Sequence, residues 1–259
     1  MIRFRSLGSG SSGNAMLVEA TSGITTTRLL IDTGFSIREL ENRLARAGLA
    51  LNDIDALFVT HEHGDHIGCA VALALRHGLP VWMSRGTWRA IGEPVAPQGL
   101  RFARDGESIP IGDLELHPFT VAHDAAEPLQ LRCTDGSARL VVLTDLGSIT
   151  THMLEHVAAC DALVLECNHD VAMLAASRYP ASLKARVGGR LGHLSNDTAV
   201  EILNHCAGPR LRHLVAAHLS RENNRPELAR AALAAGWGCD HEDIVVADPT
   251  TGFGWLHLD

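Results

Sequence analysis

The chain has 259 residues, of which 46% are hydrophobic, so it is long enough to bury a sizeable core in one large α/β or β-sandwich domain. Its formal net charge is -8, which excludes a general electrostatic attraction to nucleic acid, so a nucleic-acid partner would need a local basic patch. No uninterrupted apolar run reaches the ~18 residues of a membrane span, and we expect no membrane partner. The start, MIRFRSLGSGSSGN, lacks the apolar middle of a signal peptide, which predicts a cytoplasmic protein.

Apolar runs and helical stretches alternate along the chain. The apolar runs predict strands over 28–32, 56–60, 140–145, 162–167, 213–220 and 243–248, with shorter strands within 95–120 and 128–143. Helices are expected over 36–48, 66–78, 195–206 and 225–236, each with a capping residue at its start, a glycine at its end, or both. No repeat or linker divides the chain, so we predict a single domain over residues 1–259.

Acids and histidines follow several of the predicted strands. A loop rim at strand ends is where a scaffold usually carries its site, and so many coincidences indicate one shared site. The residues are Asp32, the cluster THEHGDH (60–66), His123, Asp145, Glu166, His169 and His218.

The THEHGDH cluster has the composition of a metal site. His61 and His63 are two residues apart and can face one cation, while Asp65 and His66 can reach a second. Gly64 permits a tight turn between the two pairs, and a helix that begins at His66 would direct its first turn at the site.

Two coordination shells need further ligands from distant parts of the chain. His123, His218 and Asp145 fit this need, and a carboxylate such as Asp145 can bridge two cations. Two metal ions about 3.5–4 Å apart can hold a hydroxide between them and activate it as a nucleophile at neutral pH. Zinc, manganese and iron all suit histidine and aspartate ligands.

These motifs resemble the metallo-β-lactamase superfamily. THEHGDH matches its HxHxDH signature, and IDTG, His123, the TDLG aspartate and the late His218 follow in the superfamily's order along the whole chain. The resemblance implies an α/β fold, a four-layer αββα sandwich of two mixed β-sheets flanked by helices. It also implies a first metal bound by His61, His63 and His123, and a second bound by Asp65, His66 and His218. Asp145 would bridge the two metals, and Asp32 would brace the ligand loop through hydrogen bonds.

Two residues and one spacing disfavour several branches of that superfamily. Asp145 is unlike the cysteine, or lack of a bridging acid, in the best-known β-lactamases of this fold, and His63 is unlike the glutamate of flavodiiron oxidoreductases. About seventy residues separate Asp145 from His218, too few for the inserted domain of the RNA-processing β-CASP branch.

Three further stretches resemble the YycJ/WalJ branch. They are GSGSSGN (8–14), the segment 166–196 that begins ECNHD and ends GHLSN, and HLSRENN (218–224). Members of this branch resemble exonucleases that digest double-stranded DNA from the 5′ end. The resemblance favours manganese for a nuclease.

Phosphodiester cleavage also needs a proton for the leaving oxygen. By similarity to tRNA-processing relatives, His193 in GHLSN would donate that proton or contact phosphate, and Glu166 would orient it. With the metal ligand Asp65, these two form our predicted catalytic set. Two alternatives stay open: His193 could cap the helix expected from 195, and His169 could contact substrate, support the ligands or lie on the surface.

A local basic patch lies between Glu166 and His193. The segment SRYPASLKARVGGR supplies one aromatic, Tyr179, and four cations that predict a clamp on a phosphate backbone, although a solvated helix face would have the same composition. The cations are Arg178, Lys184, Arg186 and Arg190. The loop GSGSSGN could wrap a phosphate with its backbone N–H groups or simply form a tight turn between the first two strands.

We therefore predict a dinuclear metal-dependent phosphodiester hydrolase, a 5′-3′ double-stranded DNA exonuclease that uses a metal-bridging hydroxide. One alternative is a phosphodiesterase for cyclic or other small nucleotides, or another ester or thioester hydrolase of the same fold. A small-substrate enzyme would gain little from four clustered cations. The second alternative is a non-catalytic metal-binding protein, which would have lost a ligand or the proton donor.

Overall fold

The computed structural model describes residues 1–206 and 208–259. Its strands form two seven-stranded sheets. The first sheet contains β1 (Ile2–Gly8), β2 (Ala15–Ser22), β3 (Thr25–Ile31), β4 (Ala56–Phe58), β5 (Val81–Met83), β6 (Leu100–Phe102) and β14 (Phe253–Leu258). The second contains β7 (Ile109–Ile111), β8 (Leu114–Thr120), β9 (Leu129–Thr134), β10 (Arg139–Leu143), β11 (Ala162–Glu166), β12 (His213–Ala217) and β13 (Ile244–Val246).

Both sheets are mixed and are arranged alike. In the first, the order is β14-β1-β2-β3-β4-β5-β6, antiparallel as far as β3 and parallel from β3 to β6. In the second, the order is β13-β12-β11-β10-β9-β8-β7, parallel from β13 to β10 and antiparallel beyond it. Each sheet therefore offers the carboxyl ends of several parallel strands along one edge.

The helices lie outside the two sheets. They are α1 (Ile37–Arg46), α2 (Gly64–Ile67), α3 (Ala70–His77), α4 (Arg85–Ala90), α5 (Thr151–Val157), α6 (Val171–Ala176), α7 (Ala181–Val187), α8 (Asn196–Cys206) and α9 (Pro226–Trp237), with short 3₁₀ helices at Leu51–Asp53 and His241–Asp243. Among the helices that the structure describes, the longest has 12 residues, and none is long and apolar enough to cross a bilayer.

Three hydrophobic clusters separate four layers. The middle cluster lies between the two sheets and takes alternate residues of each strand, such as Leu29 and Ile31 of β3. The intervening Leu30 faces α1 and α3 on one outer side, and Val141 of β10 faces α5, α8 and α9 on the other. Strands buried on both faces read as continuous apolar runs, which is why the sequence identified them. The predicted αββα sandwich is confirmed.

Several predicted strands are too long at their carboxyl ends. β3 stops before Asp32, β10 before Asp145 and β12 before His218, and these three residues have φ values of 60°, 57° and 54°. A left-handed residue turns the chain out of the sheet, and the apolar run does not reveal this.

Two predicted helices also differ. The stretch 66–78 divides into α2 and α3 at Gly68, which has φ 35° and packs so close to Thr33 that a Cβ would lie 2.0 Å from its carbonyl oxygen. α2 begins at Gly64 rather than His66. α9 continues through Gly236, which packs against Val200 of α8, and is closed instead by the left-handed Gly238.

Candidate metal centre

The predicted ligands converge where the strands end. β3, β4, β10, β11 and β12 run parallel within their sheets, and β8 runs in the same direction as β10 because each is antiparallel to β9. The ends of these six strands and the loops that follow them carry the acids and histidines singled out in the sequence. The carboxyl edge of both sheets therefore forms one site, as the strand-end pattern predicted.

His61, His63 and His123 form one group of ring nitrogens. His63 Nδ1 lies 3.0 Å from His61 Nε2 and 3.3 Å from His123 Nε2. The far nitrogens of the two buried rings are held: His61 Nδ1 lies 3.0 Å from Thr60 Oγ1, and His123 Nδ1 donates to the Gly192 carbonyl at 3.1 Å. Three nitrogens that converge in this way could hold one cation.

Asp65, His66 and His218 form a second group. Asp65 Oδ2 lies 3.7 Å from His66 Nε2 and 3.6 Å from His218 Nε2. α2 puts Asp65 and His66 in its first turn, and the left-handed backbone of His218 turns the third ring toward them. This group could hold a second cation.

Asp145 lies between the two groups. Its Oδ2 is 2.8 Å from His66 Nε2, and its Oδ1 is 3.9 Å from His123 Nε2. The side chain is 3% exposed, so water does not solvate its charge. One carboxylate that faces both groups has the position expected of a bridging ligand.

Hydrogen bonding at this centre indicates that it fits divalent cations. His66 Nδ1 donates to Asp32 Oδ2 at 2.8 Å, so in the neutral ring that a metal ion would require, the lone pair of Nε2 faces the Asp145 carboxylate. Two acceptors that face each other need a positive charge between them. Asp145 Oδ2 and His218 Nε2 are also buried without a hydrogen-bond partner in the described part of the chain.

The pKa shifts of the buried rings follow from burial and from the charges beside each ring. Burial opposes charge on His66, yet Asp145 and Asp32 raise its pKa well above the usual value. Burial also opposes charge on His218, but Asp145, Asp65 and Glu166 together raise its pKa. Burial and the neighbouring His66 instead lower the pKa of His61 well below its usual value, which favours a neutral imidazole able to bind a metal. The carboxylates therefore stabilise positive charge at the second group.

Asp32 braces the ligand loop through Thr60, which the sequence reasoning overlooked. Thr60 donates its backbone N–H to Asp32 Oδ1 at 2.8 Å and its hydroxyl to Oδ2 at 2.9 Å. The same hydroxyl therefore accepts from His61 Nδ1, so one carboxylate orients rings of both groups. Thr60 is the first residue of THEHGDH. Its position between β4 and the candidate ligands is the sequence feature from which its role could have been predicted.

Glu166 links His193 to the candidate metal ligand His218. Its Oε1 accepts from His193 Nδ1 at 2.8 Å and from His218 Nδ1 at 2.9 Å, while Oε2 accepts the backbone N–H groups of Leu146 and Leu194. The sequence predicted the first contact and missed the second. Ser195 Oγ, rather than His193, accepts from Thr198 N at the start of α8, which removes the helix-cap alternative.

Asn14 is a second residue that the sequence reasoning did not select. Its side chain accepts from Gly10 N at 2.8 Å and lies 3.2 Å from the Asp65 carbonyl and 3.0 Å from His66 Nε2. It therefore fastens the glycine-rich loop to α2. Asn14 is the last residue of the GSGSSGN stretch, so the resemblance of that stretch to the YycJ/WalJ branch could have identified it as a site residue.

A cleft of about 400 Å³ opens above the ligands. His193 lines it together with His63, Asp65, Asp145 and His218. Of the four predicted cations only Arg186 lines this cleft, and its Nε donates to Asp124 Oδ2 at 2.7 Å.

The other predicted substrate contacts lie away from the cleft lining. Lys184 donates to the Ala175 carbonyl, and Arg178 and Arg190 are exposed. His169 is 4% exposed, and burial lowers its pKa. His169 is not among the residues that line the cleft, and its contact with substrate stays a prediction.

Comparisons with known proteins agree with the sequence resemblance. Exodeoxyribonuclease YycJ of Bacillus anthracis is 36% identical over 237 residues, which are 90% of this chain and 88% of that protein. Exodeoxyribonuclease WalJ of Streptococcus pneumoniae is 34% identical over 237 residues, 89% of this chain and 86% of that protein. The metallo-beta-lactamase fold protein YhfI from Bacillus subtilis has a similar fold, with a TM-score of 0.74, 18% identity and 98% coverage of both chains.

The family model of the beta-lactamase superfamily domain matches residues 27–218, a span that begins in β3 and ends at the candidate ligand His218. The predicted resemblance to this superfamily and to its YycJ/WalJ branch is confirmed. The chain belongs to the beta-lactamase superfamily.

Proposed function

We propose that the protein is a dinuclear metal-dependent exodeoxyribonuclease that digests double-stranded DNA from the 5′ end. The observation that carries this proposal is the pairing of His193 with Glu166 on the wall of a cleft that is lined by four of the seven candidate metal ligands. The identity of over a third to a protein named an exodeoxyribonuclease, across 90% of this chain, supports DNA as the substrate.

We assign one cation to His61, His63 and His123 and a second to Asp65, His66 and His218, with Asp145 shared. These nitrogen and carboxylate donors suit zinc, manganese or iron. Bound there, the cations would supply an activated water and neutralise charge on the phosphate. Asp32 and Glu166 keep the ligand rings aimed, because each accepts from the far nitrogen of a buried histidine.

His193 has the geometry of a proton donor. Burial alone would lower its pKa, but Glu166 raises it, so the ring holds a proton at neutral pH more readily than a free histidine does. With Nδ1 bonded to Glu166, the Nε2 proton is free for the leaving oxygen of the cleaved ester. Arg186, the cation that lines the cleft, is the matching contact for the DNA backbone.

The direct test uses duplex DNA labelled at the 5′ end of one strand or at its 3′ end. We expect early release of labelled mononucleotides from the 5′ label and gradual shortening from the 3′ label, with manganese, zinc and iron each added to metal-free protein. H61A is the control that removes one ligand. Release of nucleotides from the 3′ label first, or equal digestion by H61A, would contradict the proposal.

A small-nucleotide phosphodiesterase is the second candidate, because only one of the four predicted cations lines the cleft. It predicts turnover of bis-p-nitrophenyl phosphate and small nucleotides without digestion of DNA. The complete set of candidate ligands and the paired His193 disfavour a non-catalytic role. The cytoplasmic location stays a prediction.

A further inference from the structure

A second pocket adjoins the metal cleft. It has a volume of about 240 Å³ and lies between the glycine-rich loop, the segment after α6 and the segment after β12. Ser11 lines both this pocket and the metal cleft, so the loop tip forms their common wall. Arg221 lines the pocket and also a further cavity of about 520 Å³. The three cavities therefore follow one another away from the metal centre.

The tip of the glycine-rich loop presents two adjacent backbone N–H groups. Gly10 and Gly13 have φ values of 137° and 140°, and Gly13 N donates to the Gly10 carbonyl at 2.9 Å, which closes a turn around Ser11 and Ser12. The amides of Gly10 and Asn14 are also used within the protein. Within residues 1–206 and 208–259, the Ser11 and Ser12 amides have no protein acceptor. Successive N–H groups of this kind bind anions.

Arg221 brings a positive charge to the same tip. Its Nη2 donates to Ser12 Oγ at 3.1 Å, which keeps the guanidinium beside the turn. No carboxylate in the described part of the chain comes within 4 Å of this guanidinium, so its other donors can bind a ligand. Glu222 also lines the pocket, which limits an anion to the side of Ser11 and Arg221.

Tyr179 forms another wall and is the only tyrosine of the chain. Its ring is half-buried and lines the cavity. Stacking on an aromatic ring stabilises a bound base and tolerates any base, because every base has a flat aromatic face. An anion site and an aromatic wall in one pocket match the two parts of a nucleotide.

We propose that this pocket binds one nucleotide of the substrate strand, adjacent to the phosphate that is cleaved. The Ser11 and Ser12 amides and Arg221 hold its phosphate, and Tyr179 stacks on its base. This inference rests on the proposed nuclease function, and it assigns a role to the glycine-rich loop and to Arg221. The contacts involve a phosphate and a ring face, so the pocket accepts any base.

The test measures binding of 5′-phosphorylated oligonucleotides of one, two and three nucleotides to metal-free protein. For R221A we expect about tenfold weaker binding of the longer oligonucleotides, as loss of a charge-assisted hydrogen bond implies. Y179L should lose a similar factor, and Y179F should bind like the unchanged protein. R225A is the matched control, because Arg225 is exposed four residues away and does not line the pocket.

A crosslink gives a second readout. An oligonucleotide with 5-iodouracil at each position in turn should crosslink to Tyr179 from one position only, identified by mass spectrometry. Hydrolysis of bis-p-nitrophenyl phosphate by the metal-loaded control R225A should stay within about twofold of the unchanged protein, because Arg225 does not line the pocket.

The outcomes separate this inference from the nuclease proposal. If the protein digests DNA and R221A and Y179L bind like R225A, the pocket assignment is wrong and the nuclease proposal stands. If oligonucleotides bind through Arg221 and Tyr179 but DNA is not digested, the pocket stands and the nuclease proposal is wrong. Crosslinking spread over several residues would also overturn the pocket.

Discussion

At the scale of single residues, the metal centre combines strained backbone with tightly held side chains. Asp32, Asp145 and His218 all have left-handed backbone, a conformation that costs a residue with a Cβ on the order of 1–3 kcal/mol. All three are also almost fully buried. Such strain persists only where the surrounding hydrogen bonds hold it, and here it aims three polar side chains at one point.

The Asp32 carboxylate is predicted to set metal affinity without touching the metal. Asp32→Asn should weaken metal retention about 10- to 100-fold, because His66 and Thr60 lose the charged acceptor that orients them. Metal content after dialysis against graded chelator measures this. Unchanged metal content in a folded variant would show that the ligand rings need no such support.

Substitutions of Glu166 and His193 are predicted to have different effects on metal content and on kcat. His193→Gln should keep its metals and lower kcat on DNA about 10²- to 10⁴-fold, with a smaller loss on bis-p-nitrophenyl phosphate, whose leaving group needs no proton. Glu166→Gln should also lose metal, because Glu166 holds the ligand His218. Metal content and kcat on the two substrates separate the variants, and equal kcat losses of H193Q on both substrates would exclude a proton-donor role.

At the scale of elements, a buried ion network joins the first three strands. Glu19 of β2 accepts from Arg3 of β1 at 2.6 Å and from Arg28 of β3 at 2.7 Å, and the strand register places it opposite both. The Glu19 side chain is 5% exposed, whereas the two arginines reach solvent with their outer parts. The network therefore fixes the register of three strands, the last of which, β3, leads to Asp32.

Glu19→Gln should lower the free energy of unfolding by about 1–2 kcal/mol at neutral pH. Burial alone would raise the Glu19 pKa, but Arg3 and Arg28 lower it below the usual value. A carboxylate whose pKa is lower in the folded state stabilises the fold above its unfolded pKa, and the effect disappears as the pH falls through the folded value.

Denaturant unfolding of both proteins across pH measures this prediction. The difference in stability should be largest near pH 7 and should shrink below about pH 4, where the unfolded carboxyl group is protonated. A difference that is constant with pH would mean that the ion pairs contribute nothing and that only packing changed.

At the scale of the whole molecule, the candidate metal centre joins the two sheets. His61 and Asp65 follow strands of the first sheet, while His123, Asp145 and His218 follow strands of the second. Bound cations would therefore crosslink both halves of the sandwich, and ligand binding to the folded state alone stabilises it.

Removal of metal should lower Tm, and readdition should restore it. With free metal at 100 times its Kd, the gain is about 2.7 kcal/mol per site. Differential scanning calorimetry of the holoenzyme and the chelated protein checks this. The predicted single domain over 1–259 requires one cooperative transition in both, and two separate transitions would contradict it.

The surface around the cleft is predicted to contribute more to activity on DNA than to activity on small substrates. Arg186→Ala should weaken DNA digestion more than bis-p-nitrophenyl phosphate hydrolysis. It should also reduce the slope of the logarithm of the DNA-binding constant against the logarithm of salt concentration by about one, as expected for the loss of one phosphate contact. Arg190→Ala is the matched control, because Arg190 does not line the cleft. Equal effects of the two variants on DNA would favour a diffuse patch over a contact at Arg186.

The sequence by itself determined the family, the sandwich and which residue types gather at the strand ends. Continuous apolar runs predict strands buried on both faces, and the HxHxDH motif lies within one short segment. Both features can therefore be recognised from the sequence without the tertiary structure. Tertiary structure decided which partners meet. The second bond of Glu166 to His218, the link from Asn14 to Asp65 and the position of Arg186 alone at the cleft all join segments far apart in the chain. Distant segments meet through backbone turns such as those at Asp32 and His218, and such turns depend on the surrounding packing rather than on local pattern.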